Sequence, residues 1–433
     1  MVEKIIVGKD WKDLKKYGER GTAFVGKHIV GKGEEAHLTN PVQIDVTRPH
    51  VILVCGKRGT GKSYTAGIIA EEIYKLPPDI KKNVCVLMID TMGIYWSMKI
   101  QNEKDADLLK EWGIKPEGIK TSLFVPMGYF DEYKKAGISV DKSFTISVSE
   151  LTAEDWAMTF GFSMIDEYGI LVEQVIDDLV ENHGENYSID DIIGRIEKDK
   201  RSEQRVKDAL INRFLAAKGW GIFEKKGTKT DDILRPGTIS ILDVSHYMRV
   251  SESWSIRAML VALLSRKIFT QRLTARKIEE YGKVTGQAKK TMPMVWIMID
   301  EAHQFIPNEE STAASGPLLT LIKEGREPGI SILMITQRPN KLHEDALSQA
   351  DLIISHRLTS KVDIEALRSI MQTYMLEDIQ DYLNELPRTK GSAIVLDDNS
   401  ERIYEVQIRP RFSWHAGGSP IIIEEKSLLE EKA

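Results

Sequence analysis

Residues 51–63 read VILVCGKRGTGKS, five apolar residues followed by a glycine-rich turn. The last eight residues match the pattern G-x-x-x-x-G-K-[ST], and residues 64–75 after them have the composition of a helix. In a strand–turn–helix unit of this kind, successive backbone N–H groups surround phosphate oxygens beside the positive end of the helix. The stretch therefore predicts a phosphate-binding loop in an α/β fold.

This loop predicts roles for individual side chains. We expect Lys62 to reach the β- and γ-phosphates of ATP and the Ser63 hydroxyl to help hold Mg²⁺. The full set predicted to bind the nucleotide is Gly56, Arg58, Gly59, Thr60, Gly61, Lys62, Ser63 and Tyr64. The competing interpretation, a glycine turn with an exposed lysine, is disfavoured by the strand and helix patterns on either side.

Outward from the loop, short apolar runs alternate with helical patterns, which predicts a mostly parallel sheet with helices on both faces. Strand-type runs occur at residues 84–90, 239–243, 295–300, 330–335 and 351–355, with later β-like segments at 392–396 and 403–408. We assign residues 50–149 and 235–418 to this α/β core. Residues 1–49 are predicted to form a short β-rich module, and residues 419–433 a tail.

Residues 150–234 interrupt the alternation and are predicted to form an inserted helical subdomain. Apolar residues recur there at helical spacing, and Ser188 with Asp191 resembles a capping box at a helix start.

Three of the predicted strands end in a carboxylate, at Asp90, Asp243 and Asp300. A hydrolytic nucleotide site needs one acid near Mg²⁺ and a base that orients the attacking water, and the third strand supplies an adjacent acid, Glu301. We therefore predict that Asp300 acts on Mg²⁺, through water, and that Glu301 is the catalytic base. An ordinary turn-capping role is favoured for Asp243 and stays open for Asp90.

Two further polar residues flank the next strand. Gln337, in Thr336-Gln337-Arg338-Pro339, follows the strand and can sense the γ-phosphate; the alternative is an amide that satisfies a loop. Arg326 precedes the strand in Lys323-Glu324-Gly325-Arg326-Glu327, where a guanidinium can reach a neighbouring subunit as an arginine finger. A solvated surface charge is an equally favoured interpretation of Arg326.

The bulk composition indicates a globular protein without a basic excess. The chain has 433 residues, a net charge of −6 and two cysteines, Cys55 and Cys85, each inside an apolar run. These features, with no apolar run of about 20 residues, predict a soluble cytoplasmic protein without a membrane span. The charge balance weakens a nucleic-acid interpretation slightly but permits a ring that touches DNA only inside a channel.

One segment, residues 266–290, is locally basic. It carries eight basic and two acidic residues, and we predict DNA contacts from Arg272, Arg276, Lys277 and Lys283. A solvated helix and loop on the outer surface is an equally favoured interpretation.

Taken in order, these segments resemble the HerA/FtsK superfamily of hexameric DNA-pumping ATPases, and most closely its HerA branch. The segments that carry the resemblance are GKRGTGKS, ILDVS (241–245), IDEAHQFIP (299–307), KEGREPGISILMITQRPNKL (323–342), LSQADLIISHRL (347–358) and RPRFSWHAGG (409–418). Residues 1–49 resemble a reduced form of the β-barrel that precedes the HerA core.

The resemblance implies a RecA-like fold, a homohexameric ring with ATP between subunits, and DNA in a central channel. It assigns Lys62, Ser63, Asp300 and Glu301 to the site of their own subunit, Arg326 to the neighbour's site, and Gln337 to the sensor role. It also implies a nuclease partner of the NurA type in DNA end processing and repair. Two alternatives stay open: a motor that moves protein, and a ring that scaffolds or regulates an effector such as a nuclease or defence protein.

Overall fold

A wide β-sheet runs through the protein. The computed structural model describes residues 3–31, 35–249, 253–287, 291–371 and 379–418. The strands in those ranges are β1 (Ile5–Val7), β2 (Thr22–Val30), β3 (His37–Asp45), β4 (Val51–Cys55), β5 (Val84–Asp90), β6 (Thr121–Pro126), β7 (Lys142–Phe144), β8 (Ile146–Ser147), β9 (Phe223–Glu224), β10 (Ile239–Asp243), β11 (Met294–Ile299), β12 (Ile330–Thr336), β13 (Leu352–His356), β14 (Ser392–Asp397) and β15 (Arg402–Ile408).

Thirteen of these strands lie in one sheet, in the order β1-β3-β2-β15-β14-β13-β4-β12-β11-β5-β10-β6-β7, and β8 pairs with β9 separately. From β13 to β7, each neighbouring pair is parallel, which confirms the predicted mostly parallel sheet. Parallel strands all end at the same edge. The loops that follow β4, β5, β11, β12 and β13 therefore share one edge, where α/β proteins bind ligands.

Helices cover both faces of the sheet. Within the described residues they are α1 (Trp11–Tyr17), α2 (Lys62–Lys75), α3 (Pro78–Lys81), α4 (Ala106–Glu111), α5 (Phe130–Lys135), α6 (Ala153–Phe160), α7 (Glu167–His183), α8 (Ile189–Lys198), α9 (Gln204–Lys218), α10 (Thr230–Ile233), α11 (Ser253–Thr285), α12 (Ser315–Glu324), α13 (Glu344–Ser348), α14 (Lys361–Met371) and α15 (Ile379–Glu385). Helices α6 to α10 fill the stretch predicted to be helical, and the Ser188–Asp191 capping box opens α8. The predicted tail, residues 419–433, lies outside the described residues.

Strand β4 shows why its sequence is apolar at every position. Val51, Leu53 and Cys55 belong to one buried cluster, which includes apolar residues of α6, α7, α9, α11 and α12. Ile52 and Val54 belong to a second buried cluster, which includes apolar residues of α2. A strand covered on both faces has no solvent side, so alternation of polar and apolar residues is absent.

In the described part of the chain, no helix is long and apolar enough to cross a bilayer.

The N-terminal strands continue the core sheet. Strand β2 pairs antiparallel with β15, and β15 pairs antiparallel with β14, which in turn borders β13 of the parallel part. Residues 22–30 of the predicted β-rich module form one continuous strand, β2. Strands β1, β2 and β3 thus extend the sheet that carries the phosphate loop, because the β14–β15 hairpin offers β2 a hydrogen-bonding edge.

A buried ion cluster fastens the closing segment, residues 409–413, to helix α2. The Glu71 carboxylate lies 3.0 Å from Arg409 Nη2 and 3.2 Å from Arg411 Nε, and all three side chains are fully buried. Ser413 Oγ also donates to Glu71 Oε1 at 2.6 Å. One carboxylate therefore holds two guanidinium groups against the helix that follows the phosphate loop.

We expect Glu71→Gln to destabilise the fold by about 3–5 kcal/mol, since removing one partner of a buried ion pair leaves uncompensated buried charge. Chemical denaturation followed by circular dichroism measures this change. Glu117→Gln is the matched control, because Glu117 pairs with Lys75 of the same helix at an exposed position, where ion pairs contribute little. Equal effects of the two substitutions would show that the buried cluster is not a main determinant of stability.

Candidate active site at the carboxyl edge of the sheet

The phosphate loop connects β4 to α2 and lies against the end of β13. Gly56, Gly59 and Gly61 have φ angles of 150°, 79° and 113°, which favour glycine. A Cβ atom at Gly56 would lie 2.6 Å from the Cβ of His356, so a side chain there would collide with β13. Helix α2 begins at Lys62, so its first N–H groups face the loop. This backbone can take phosphate oxygens.

Lys62 lies inside the curve of the loop and is largely buried. Its ammonium donates to the Lys57 carbonyl at 3.0 Å. Burial lowers the pKa of Lys62, while the carboxylates of Glu301 and Asp300 act in the opposite direction. A phosphate in the loop would compete with the Lys57 carbonyl for this ammonium and would favour its charged form.

Ser63 and Asp300 meet across the sheet edge. Ser63 Oγ donates to Asp300 Oδ2 at 3.1 Å, and the Glu301 N–H donates to Asp300 Oδ1 at 2.9 Å. Burial and the neighbouring Glu301 charge raise the pKa of Asp300 to about 6. A hydroxyl and a carboxylate are the oxygen donors that Mg²⁺ takes in phosphate sites, and a bound cation would favour ionised Asp300. These two residues therefore fit a Mg²⁺ site.

Glu301 is held in an unusual backbone conformation, with φ of 51° for a non-glycine residue. Gln337 Nε2 donates to Glu301 Oε1. The other oxygen, Oε2, is buried and accepts no hydrogen bond from the described residues; His303 Nδ1, 3.5 Å away, is engaged with Thr336 Oγ1 at 3.0 Å. Left-handed backbone and an unpartnered buried oxygen both cost free energy and are typical of functional positions. Such an oxygen can accept a proton from water.

Gln337 stands between the loop and the acid pair because β12 lies between β4 and β11. The structure thus brings Lys62, Ser63, Asp300, Glu301 and Gln337 to one edge of the sheet. Each of the five was predicted as a site residue, and the family resemblance implied that Lys62, Ser63, Asp300 and Glu301 serve the site of their own subunit.

The other two strand-end acids have structural partners. Asp90 accepts hydrogen bonds from four backbone N–H groups, those of Met92, Gly93, Ile94 and Tyr95, at 2.8–3.2 Å. Asp243 accepts from the Ser245 N–H at 2.9 Å and from Tyr133 Oη at 2.8 Å. Burial and the Asp243 charge raise the pKa of Asp90. The turn-capping interpretation of Asp243 is confirmed, and Asp90 has the same role.

His356, at the end of β13, is a site residue that the sequence did not single out. Its Nε2 lies 2.9 Å from Thr65 Oγ1 of α2, and its Nδ1 lies 3.1 Å from the Ser392 carbonyl. Burial lowers the pKa of His356 to about 4, so the ring is neutral at physiological pH. A neutral ring adds no charge beneath the loop. The residue stood in the quoted segment LSQADLIISHRL, but a lone histidine carries no spacing signal.

A cavity of about 930 Å³ adjoins the loop and the start of α2. Its wall includes Tyr64 of α2, Leu108 of α4, and Trp112, Trp414 and His415. An apolar and aromatic space beside a phosphate loop suits the nucleoside part of a nucleotide.

Arg326 lies far from this edge, at the amino end of β12. Its Nη2 is 3.4 Å from Asp351 Oδ2, and half of its side chain is exposed. Strand β12 has seven residues, which span about 23 Å at 3.3 Å per residue. Arg326 therefore cannot touch a phosphate in its own subunit's loop.

The predicted DNA contacts lie on α11, and most of their charge is already paired. Arg276 and Lys283 both pair with Glu280, and Lys277 is exposed. Arg272 is buried and donates to the carbonyls of Pro328 at 2.8 Å and Met292 at 2.7 Å. The prediction of a DNA contact at Arg272 is therefore wrong, because its guanidinium holds α11 to the loop before β12. Residues 288–290, which include two of the counted lysines, lie outside the described residues.

Solved structures with this fold confirm the predicted class. VirB4 of Thermoanaerobacter pseudethanolicus superposes with a TM-score of 0.58 at 11% identity, covering 89% of this chain and 97% of that one. The plasmid coupling protein TrwB in complex with ADP and Mg²⁺ superposes with a TM-score of 0.51 at 13% identity, covering 92% of this chain and 97% of that one. At these identities the likeness shows the RecA-like P-loop fold alone.

Sequence relatives agree with the predicted family. The DNA double-strand break repair helicase HerA of Sulfurisphaera tokodaii is 21% identical over 95% of this chain and 75% of the relative. The helicase of the same name from Pyrococcus furiosus is 25% identical over 38% of this chain, and that match spans only 31% of the relative. A family model described as "Helicase HerA, central domain" matches residues 23–268, more than half of the chain. The chain therefore belongs to the family of the HerA helicase central domain.

Proposed function

We propose that this protein hydrolyses ATP with Mg²⁺ and uses the turnover to move DNA through a homohexameric ring. The observation that carries the proposal is the cluster of Ser63, Asp300, Glu301 and Gln337 beside the phosphate loop. It joins phosphate-binding backbone, oxygen donors for a cation and a buried carboxylate in one place. We take the domain division at residues 49, 149, 234 and 418 as part of the same proposal.

In this proposal the residues of the loop bind and orient the nucleotide. The N–H groups from Gly59 to Ser63 hold the phosphates, and Lys62 neutralises their charge. Arg58 and Thr60 border the phosphates, and Tyr64 borders the nucleoside in the adjoining cavity. Ser63 would hold Mg²⁺ directly and Asp300 would hold it through water, and the cation would supply positive charge beside the phosphate oxygens. TrwB, which shares the fold, was solved with ADP and Mg²⁺.

Glu301 acts as the general base. Its Oε2 takes a proton from the attacking water, while the Gln337 amide holds Oε1 and fixes the direction of the carboxylate. Gln337 is also the proposed γ-phosphate sensor, since it follows β12, the strand between the phosphate-loop strand β4 and the strand β11 that carries the acid pair. Its hydrogen bond to Glu301 would be exchanged for one to the phosphate or the water.

Arg326 acts in trans. Because it faces away from its own phosphate loop, we propose that it reaches the ATP of the next subunit in a ring with heterologous contacts. Each active site would then need two chains, and turnover would depend on assembly.

DNA is the proposed track, and a NurA-type nuclease the proposed partner in cytoplasmic DNA end processing. The support is the family membership and the relatives named as DNA double-strand break repair helicases. Three cations of α11, the exposed Lys277 and Lys283 and the half-buried Arg276, are the proposed phosphate contacts. The alternatives are a ring that scaffolds an effector and a motor that moves protein. The DNA experiments below distinguish both of them from a DNA motor.

We expect Glu301→Gln to bind ATP normally but to lower turnover by about 10²–10⁴-fold, because the general base is lost. Steady-state ATP hydrolysis with and without linear duplex DNA, and binding of a fluorescent ATP analogue, measure both quantities. Glu309→Gln is the matched control at an exposed acid in the same loop region. Wild-type turnover that is insensitive to DNA would favour the scaffold or protein-motor alternative, and near-normal turnover of Glu301→Gln would reject the base assignment.

Mixing two inactive variants tests the trans role of Arg326. We expect Arg326→Ala and Glu301→Gln each to be inactive alone, and a mixed ring to recover turnover at about one interface in four. That interface joins an intact Glu301 from one subunit to an intact Arg326 from the next. Mixed subunits are prepared by dissociation and reassembly, and hydrolysis is measured per ring. An inactive mixture that still assembles would contradict the trans assignment.

Charge reversal on α11 tests the DNA contacts. We expect the double variant Arg276→Glu/Lys277→Glu to weaken duplex binding and to flatten its salt dependence, since fewer counterions are released. Lys198→Glu/Lys200→Glu, at exposed positions at the end of α8 and just beyond it, is the matched control. Binding is followed by fluorescence anisotropy at several salt concentrations. If both double variants bind DNA like the wild type, α11 does not contact DNA.

A further inference from the structure

A chain of buried charges crosses the amino edge of the sheet, opposite the phosphate loop. Asp351 Oδ2 lies 2.7 Å from His50 Nδ1, and His50 Nε2 lies 3.5 Å from Asp45 Oδ2. Lys9 Nζ is 3.5 Å from the other oxygen of Asp45, and Arg326 ends the chain at Asp351. Four of these five side chains are buried, and Arg326 alone is half exposed. The proposed active site does not explain this arrangement.

Asp351 is fixed by two partners, Val51 at the start of β4 and His50 just before that strand. Its Oδ1 accepts from the Val51 N–H at 2.8 Å, while Oδ2 meets His50 Nδ1. Burial alone would lower the pKa of His50, but the hydrogen bonds and charges of Asp351 and Asp45 raise it to about 9. His50 is therefore a cation at neutral pH, bonded to Asp351 on one side and facing the Asp45 carboxylate at 3.5 Å on the other. Asp351 cannot rotate without breaking both contacts.

The backbone also fixes where Arg326 starts. At Gly325, a Cβ atom would lie 2.2 Å from the Leu321 carbonyl, so only glycine allows the chain to leave α12 this tightly. The Ile330 N–H then donates to the Gly325 carbonyl at 2.8 Å and closes the loop around Arg326. The loop therefore fixes the backbone position of Arg326, and Asp351 contacts its guanidinium group.

We propose that Asp351, held by His50 and Val51, is a positioning residue that aims Arg326 at the nucleotide of the neighbouring subunit. This inference rests on the trans role proposed above for Arg326. A guanidinium presents its donors in a planar fork, so a carboxylate on one edge fixes the direction of the other edge. A half-exposed ion pair adds little stability, and burying Asp351 with a charged histidine costs desolvation. In this proposal the network orients the Arg326 side chain and adds little to the stability of the fold.

The test compares the kinetics of Asp351→Asn with those of the wild type and Arg326→Ala. We expect Asp351→Asn to lower kcat on the order of 10- to 100-fold with KM for ATP within about twofold, since an ångström of misplacement costs catalysis and not binding. The double variant Arg326→Ala/Asp351→Asn should be no slower than Arg326→Ala. Mixed with Glu301→Gln subunits, Asp351→Asn should regain turnover.

Asp345→Asn is the matched control, because Asp345 of α13 pairs with Lys323 in the last turn of α12, just before the Arg326 loop, at an exposed position 2.7 Å away. It should keep the wild-type kcat. If Asp351→Asn does not assemble, Asp351→Glu keeps the charge but shifts the carboxylate, and it should assemble and lose part of kcat. Wild-type kcat in whichever variant assembles would overturn the inference.

The outcomes separate the two proposals. Normal turnover of Arg326→Ala would reject the trans role itself. Loss in Arg326→Ala with multiplied losses in the double variant would keep the trans role and overturn the positioning by Asp351, since the two residues would then act independently.

Discussion

The contact between Ser63 and Asp300 organises the rest of the site. It joins the first turn of α2 to the end of β11 across the intervening strand β12. For it to form, β4 and β11 must run in the same direction with one strand between them. The parallel register of β4, β12 and β11 meets that requirement. Gln337 is then placed in the same small volume, because it follows the strand between them.

The site also concentrates groups that a stable fold would avoid. Among the described residues, two neighbours carry these features: Asp300 is buried with a raised pKa, and Glu301 combines a left-handed backbone with a buried carboxylate oxygen that accepts no hydrogen bond. The fold offsets this cost elsewhere, through two large apolar clusters on the two faces of the sheet and through the Glu71 ion cluster beneath α2.

The amino-acid sequence predicted the parts of the structure that depend on local pattern. The phosphate loop, the parallel strands and the acid pair follow from short motifs whose geometry is set by neighbouring residues. It failed where a long-range partner decides the outcome. Arg272 is basic and helical like Arg276, yet it turns inward because two carbonyls from distant segments receive its guanidinium. His356, Asp351 and His50 had no signal either, since their roles arise only when β4 and β13 pair.

The continuous sheet has a mechanical consequence for the N-terminal strands. They join the core sheet through three residue pairs between β2 and β15, which form the seam between the N-terminal strands and the core. Arg409 reinforces that seam, because its Nε donates to the Phe24 carbonyl while its Nη2 reaches Glu71 of α2. A load applied to β2 is therefore transmitted to the helix that begins at the phosphate loop, both through this guanidinium and through Glu72, which accepts a hydrogen bond from the Phe24 N–H. The seam thus joins the N-terminal strands to the core sheet and, at the same place, to the helix that follows the phosphate loop.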